Sequence, residues 1–497
     1  MTAAVANTTP DKALGNLPVW DLSDLYPAPD SAELEADLEE AARESRIFSD
    51  RYKGKLASLS GDALGAAISE YEVIDEIIGR IMSYAQLVYA EDVSDPEAGR
   101  FYQSMQERVN DISADVLFFS LELNEIEDHI LLKQMKAATV TKYKPWLDSI
   151  RSFRPYQLSE EIERLLHDKR VAGRAAWSRL FDETMADMRF KHGEAELTSE
   201  EVMNMMSSPD EGTRKSAAAT LGSELAKHAR VFSLITNTLA KESEIEDRWR
   251  NFAHPASSRN LSNQVEDEVV DALNVAVTAA YPDLSHRYYA MKAKWFGKDQ
   301  LDHWDRNAPL PEADNRIIPW EQATETVLAA YREFSPDLAN IGKRFFENKW
   351  IDAPVRDGKS SGAFAHPTVP SAHPYLLLNY QGKTRDVMTL AHELGHGCHQ
   401  VLAAAQGNLM ADTPLTLAET ASVFGEMLTF REMTRTQEDL AIRKVMLAAK
   451  VEDMLNTVVR QIAFFNFELR VHAARRQGEL TAEDICDIWI DIQAESL

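Results

Sequence analysis

The chain of 497 residues has only two cysteines, Cys398 and Cys486. A disulfide framework is therefore excluded, and a reducing compartment is the natural setting. No run of 18 apolar residues occurs, so no membrane-spanning helix is expected. The first residues, Met1-Thr-Ala-Ala-Val-Ala-Asn7, lack the basic-then-apolar order of a secretory signal. Basic side chains are in deficit: 53 Lys and Arg stand against 80 Asp and Glu, a formal net charge of -27. That balance argues against a nucleic-acid backbone or an anionic membrane surface as partner. It fits a cytoplasmic protein kept in solution by its charge; a mild preference for basic peptides is the weaker reading of the same excess. Internal repeats and low-complexity tracts are also missing.

Glycine and proline are scarce inside several long stretches where apolar residues recur three and four apart. Residues 31–52, 60–91 and 94–123 carry this pattern, which predicts helices in an antiparallel bundle. Asp92-Val-Ser94-Asp-Pro96 reads as a helix start, with proline in the first turn. Ahead of them, residues 1 to about 30 form a polar arm whose patch Trp20-Asp-Leu-Ser-Asp24-Leu-Tyr26-Pro27 is expected to pack onto the body. Helices continue over 124–200, broken by Pro145 and Pro155. Phe190-Lys-His-Gly193-Glu-Ala-Glu predicts a short hairpin. It marks a boundary between an N-terminal helical region, 1–195, and a second region, 196–497. Helix returns over 199–250 and 262–296, with Pro282 at an internal start or kink. From 298 to 385 the character changes: Pro309, Pro311 and Pro319 punctuate it, and a helix is expected over 320–333. Pro374-Tyr-Leu-Leu-Leu-Asn-Tyr380 is a short apolar run bounded by turn residues, which predicts a strand, with Ser361-Gly-Ala-Phe364 as its partner. The expected class is mainly α, with a small sheet beside the helix that follows.

That helix, expected over about 386–405, carries Thr389-Leu-Ala-His392-Glu393-Leu-Gly-His396-Gly, with a cap at Thr384 or Asp386 and Leu390, Leu394, Val401 and Leu402 as packing residues. Histidines four apart share one face of a helix, and a glutamate follows the first. In this H-E-x-x-H arrangement both imidazoles bind one zinc ion and the glutamate acts as general base toward water. Further on, Leu417-Ala-Glu419-Thr-Ala-Ser422 offers a carboxylate as third ligand, leaving the fourth position open as in a catalytic site. Thr416-Leu-Ala-Glu419 is also a capping box, so a purely structural glutamate is the competing reading. Ser422 and Glu426 share a helix face with Glu419. They either hydrogen-bond a ligand or form a polar surface strip. His399 shares the face of His392 and His396, as a rival ligand, a cleft residue or a structural histidine. Cys398 points to another face. No oxyanion donor stands near the motif, where His366 and His373 are loop histidines or cleft residues. Gly362, Ala363, Phe364, Tyr375 and Tyr380, on the two expected strands, would line a sheet edge to which an extended peptide adds through its main chain.

Taken together, Gly362-Ala-Phe, Pro374-Tyr-Leu-Leu-Leu-Asn379-Tyr, the H-E-x-x-H segment from Asp386 and Leu417-Ala-Glu419-Thr-Ala-Ser422-Val-Phe-Gly-Glu426 resemble oligoendopeptidase F, in the thimet oligopeptidase-like family of zinc peptidases. The Trp20 segment resembles the start of the same group. The resemblance implies a mainly helical zincin-type peptidase with a deep substrate channel, cleaving oligopeptides, with Glu419 as zinc ligand. It also implies a further C-terminal segment with substrate-contacting His and Tyr residues. On that reading the chain is a C-terminally truncated copy, and the apolar stripe Ile485, Ile488, Trp489 and Ile492 of its last helix awaits a partner. Two alternatives remain: a zinc carboxypeptidase or dipeptidyl carboxypeptidase, and a peptide-binding fragment with impaired turnover. Oligomeric state is not legible.

Overall fold

Ser31 begins the bundle: its hydroxyl oxygen accepts the Leu34 N–H at 3.3 Å and starts α1 (Ala32–Tyr52). Ser60 starts α2 (Gly61–Glu91) in the same way. Asp95, followed by Pro96 in the first turn, starts α3 (Pro96–Ala114). The computed structural model describes residues 11–310 and 316–497. The segment Met1–Asn7 read for a signal, the start of the arm and Pro311 lie outside the described residues.

The single helix expected over 94–123 is in fact two, because a turn at 115–117 separates α3 from α4 (Phe118–Glu125). The turn redirects the apolar run so that Phe119 meets Phe48 of α1 edge-on at 5.1 Å. Beyond shorter helices, α5 (Arg174–Asp187) leads to the expected hairpin, β1 (Phe190–His192) and β2 (Ala195–Leu197), paired antiparallel. Thr198 and Glu201 form a capping box for α6 (Ser199–Met205). Asp210 caps the 40-residue α7 (Glu211–Arg250). The stretch 262–296 divides at Pro282, where a π turn joins α8 (Asp267–Ala280) to α9 (Arg287–Trp295).

The punctuated region holds more order than its prolines suggest. The expected helix is α10 (Trp320–Phe334), and a second, α11 (Pro336–Glu347), starts at Ser335-Pro336. Three short strands follow: β3 (Ile351–Asp352), β4 (Phe364–His366) and β5 (Tyr375–Leu377). Their order is β3-β5-β4, with β5 parallel to β3 and antiparallel to β4. The remaining long helices are α12 (Thr384–Ala403), α13 (Leu415–Thr436), α14 (Leu440–Leu455), α15 (Gln461–Arg475) and α16 (Ala482–Ser496).

One core joins distant parts of the chain. Trp20, Leu25 and Tyr26 of the arm, Ile81 and Tyr84 of α2, all of β5, and Leu390 and Leu394 of α12 bury together. The arm is pinned as well as packed: Asp21 N–H donates to Lys349 O at 3.0 Å, and Ala353 N–H donates to Pro18 O at 2.9 Å. Part of the apolar stripe of α16 is covered within the chain, while Ile485 and Ile488 stay half-buried. Trp489 stacks on Phe464 of α15 at 5.2 Å, and Ile492 is buried. No helix among the described residues is long and apolar enough to cross a membrane.

Candidate metal centre

Asp386 holds the entrance to α12. Its Oδ2 accepts the N–H groups of Gln381 and Lys383, each at 2.9 Å, and places a negative charge in the first turn. The inward stripe Val387, Leu390, Ala391, Leu394 and Cys398 is buried. That spacing turns His392 and His396 outward to a cleft of about 830 Å³. In the last turn Val401 packs against the core, whereas Leu402, expected to do so, is 57% exposed. Burial of Cys398 pushes its thiol up to about 12, consistent with a core role and no ligand role.

Helix α13 delivers Glu419. Its Oε2 lies 3.4 Å from His392 Nε2 and 3.6 Å from His396 Nε2. The helices can meet this closely because both contacts fall on glycine. A Cβ on Gly395 would stand 2.6 Å from Ala421 O, and one on Gly425 would stand 2.7 Å from Ala391 O. The capping account of Glu419 fails on geometry. Helix α13 begins after Pro414, and the Thr416 hydroxyl donates to Asn263 O at 2.7 Å instead of capping. Ser422 is fully buried, and its hydroxyl donates to Glu419 Oε2 at 2.7 Å. The close approach of His396, with help from the Ser422 hydrogen bond and the charges of both histidines, outweighs burial and holds Glu419 down at about 2.

A second carboxylate lies behind His392. Glu426 Oε1 is 2.7 Å from His392 Nδ1, and Glu426 Oε2 accepts from Lys450 Nζ of α14 at 2.7 Å. Burial disfavours charge on Glu426, yet its bonds to His392 and Lys450 prevail and its pKa is lowered. Burial likewise opposes a charged His392, but the Glu426 bond and the surrounding carboxylates raise its pKa. In the neutral imidazole that a metal needs, donation from Nδ1–H to Glu426 leaves the lone pair on Nε2, the nitrogen that faces Glu419. Lys450 was not legible in the sequence. It is one of several lysines on a helix with no local motif, and only its burial beside Glu426 singles it out.

Glu393 is buried, and a carboxylate oxygen lies within 4.8 Å of a ring nitrogen of each histidine. Burial pushes it up to about 6, against the pull of His392 and His396. Two imidazole nitrogens and one carboxylate oxygen are the donor set of an open catalytic metal site. Tetrahedral bonds of about 2.0–2.1 Å to such donors require edges of about 3.3–3.4 Å between them. The 3.4 Å separation meets that requirement and the 3.6 Å one lies just beyond it, a shift that a small side-chain adjustment closes, so these residues fit a divalent ion.

The other expected residues divide. Ala363, Phe364 and His399 line the same cleft as the histidines and Glu419. Gly362 is exposed, its N–H donating to Glu200 Oε1 at 3.2 Å. Tyr375 and Tyr380 do not reach the cleft. They are 0% and 1% exposed, and their hydroxyls donate to Asp21 O and Ile318 O. The reason is strand order: β5 is central and buried on both faces, and the edge belongs to β4. His373 lines the cleft but stacks on Trp350 at 3.8 Å and meets Asp24. Burial lowers His366 to about 4.

Residues 204–497 match the family described as Peptidase family M3, and residues 122–190 match the one described as Oligopeptidase F. The chain is 26% identical to Oligopeptidase PepF of Bacillus subtilis over 508 residues, covering 98% of this chain and 73% of that protein. It is 26% identical to Group B oligopeptidase PepB of Streptococcus agalactiae, covering 95% and 79%. The solved structure of oligoendopeptidase-F from Enterococcus faecium shares the fold with a TM-score of 0.67 at 20% identity, covering 93% of this chain and 79% of that one. The family match spans more than half of the chain and contains the whole cluster of His392, Glu393, His396 and Glu419, so the chain belongs to peptidase family M3 and is a metalloendopeptidase.

Proposed function

We propose that the chain hydrolyses internal bonds of oligopeptides with one zinc ion held by His392, His396 and Glu419, and with Glu393 as general base. The observation that carries this reading is the convergence of one Glu419 oxygen on both imidazole nitrogens, with the buried Glu393 beside them. Bound there, zinc supplies a Lewis acid for the scissile carbonyl and acidifies water. Glu393 takes a proton from the attacking water and delivers it to the leaving amine. A carboxylate already pushed up to about 6 is suited to both halves of that transfer near neutral pH. Ser422 orients the Glu419 carboxylate, and the Lys450–Glu426 pair fixes the tautomer of His392. Peptide is held in extended form along the open edge of β4, whose Phe364 and Ala365 line the cleft with Ala363 just before them. Main-chain recognition of this kind is indifferent to side chains and predicts broad specificity.

The test is metal analysis with hydrolysis of an internally quenched peptide blocked at both ends. One zinc per chain, and cleavage that chelation abolishes and zinc restores, are expected. A chain that leaves the blocked peptide intact but trims one with a free C-terminus would instead be a carboxypeptidase. Arg344 favours that second reading, because it is the cleft's only lysine or arginine among the described lining residues and could meet a terminal carboxylate.

The contact behind His392 gives a further expectation. Glu426→Gln should weaken zinc binding by about 10- to 100-fold, since the amide neither holds the His392 N–H as strongly nor answers Lys450. Competition with a chelator of known affinity measures this; unchanged affinity would remove Glu426 from the site.

A further inference from the structure

The register of the small sheet shows which main-chain groups face the cleft. Leu376 N–H donates to Trp350 O at 2.9 Å, and Leu378 N–H to Asp352 O at 2.8 Å, both on the β3 side. In an antiparallel pair a residue turns both its N–H and its C=O toward the neighbour or both away. Leu376 is turned away from β4, so its partner Ala365 occupies a non-hydrogen-bonded position. The N–H and C=O of Ala365 therefore point out of the sheet, along the open edge. Two residues on, Pro367 has no N–H to offer, and the outward donors end there.

The Ala365 carbonyl is already engaged. Gln400 Nε2 of α12 donates to it at 3.2 Å. The other end of the same carboxamide is left over: Gln400 Oε1 is buried and accepts no hydrogen bond among the described residues. Both residues line the cleft that contains His392, Glu393 and His396. A carboxamide is a peptide group in miniature. Here its N–H sits where the N–H of an added strand would sit, while its carbonyl finds no donor.

We propose that Gln400 is a positioning residue that keeps the place of the substrate main chain, holding the Ala365 carbonyl until a peptide N–H takes it over. This rests on the edge-addition reading above. Gln400 lies one helical turn past His396, a rise of about 6 Å. Extended peptide covers that distance in about two residues. The N–H that displaces Gln400 thus belongs to a residue about two positions from the scissile bond. A residue lacking that N–H, such as proline, is disfavoured there. Gln400 therefore selects on the backbone and leaves side-chain tolerance broad.

The experiment uses end-blocked, internally quenched peptides, the parent and a set each N-methylated at one backbone amide. They are assayed with the zinc-loaded wild type, Gln400→Ala and Gln400→Met, the last keeping length and packing without the amide. In wild type, N-methylation at one position raises KM with little change in kcat. Both variants lower KM for the parent by about two- to tenfold at unchanged kcat, since no bond to Ala365 must be broken first. That advantage vanishes on the peptide methylated at the sensitive position. If one position is sensitive in wild type but both variants leave KM unchanged or raise it, Gln400 merely braces β4 and the proposal is overturned. If no position is sensitive in any enzyme, edge addition itself fails, and the placeholder role falls with it.

Discussion

Glu393→Gln is expected to keep its metal and its fold while losing hydrolysis of a blocked oligopeptide by about 10²- to 10⁴-fold in kcat. The amide has the shape of the carboxyl group but no usable basicity, so the proton of the attacking water has no acceptor. Other losses are small. Glu393 offers no hydrogen bond to another described side chain and is buried, with burial opposing its charge. Exchanging a buried carboxyl for a neutral amide therefore removes a desolvation cost, and thermal stability should hold or rise. Its neighbours His392 and His396 keep their donor atoms, so zinc content by elemental analysis should match wild type. The readouts are kcat, zinc per chain and melting temperature on one preparation. A variant that cleaves as fast as wild type would show that another group accepts the proton. One that loses zinc would show that Glu393 belongs to the ligand set.

How much of this could be read without coordinates depended on whether the signal was local. H-E-x-x-H is local: identity and spacing within one helix put two imidazoles on one face, and the inward stripe from Val387 to Cys398 is what that face requires of the other side. The starts at Ser31, Ser60 and Asp95 are local too, each a side chain accepting a backbone N–H two or three residues ahead. Thr416 shows where local signals mislead. The residues of a capping box are present, but Pro414 sets the helix start two residues earlier, and the hydroxyl is then free to bond elsewhere. Tyr375 and Tyr380 fail for another reason. A strand buried on both faces and one lying at an edge can share an apolar run, and only the pairing order β3-β5-β4 tells them apart. Lys450 and Gln400 are beyond reach of sequence reasoning alone, because their meaning lies entirely in partners from other elements. Helix α11 was within reach and went unread, since Ser335-Pro336 has the form of a start.

Glu419→Ala should lower zinc affinity by more than about 100-fold, beyond what losing a supporting residue such as Ser422 or Glu426 does. Two imidazoles on one helix cannot by themselves complete a three-ligand site, and among the described residues the cleft offers no other carboxylate paired with both Nε2 atoms as Glu419 is, at 3.4 and 3.6 Å. Hydrolysis should fall in parallel, recovering only in part at high zinc. The fold should be nearly indifferent. The Glu419 side chain is 54% exposed, and its ion pairs with the histidines of the metal-free chain are screened by solvent, worth about 1 kcal/mol or less. A lost helix cap would act differently, costing about 0.5–2 kcal/mol with or without metal. The discriminating measurement is the melting temperature with and without zinc. Wild type should be stabilised by zinc through binding to the folded state alone, and Glu419→Ala should lose that increment while its metal-free value stays in place. Should the metal-free value drop while the zinc increment survives, Glu419 would be a structural residue of α13, and the third ligand would have to be sought elsewhere in the cleft.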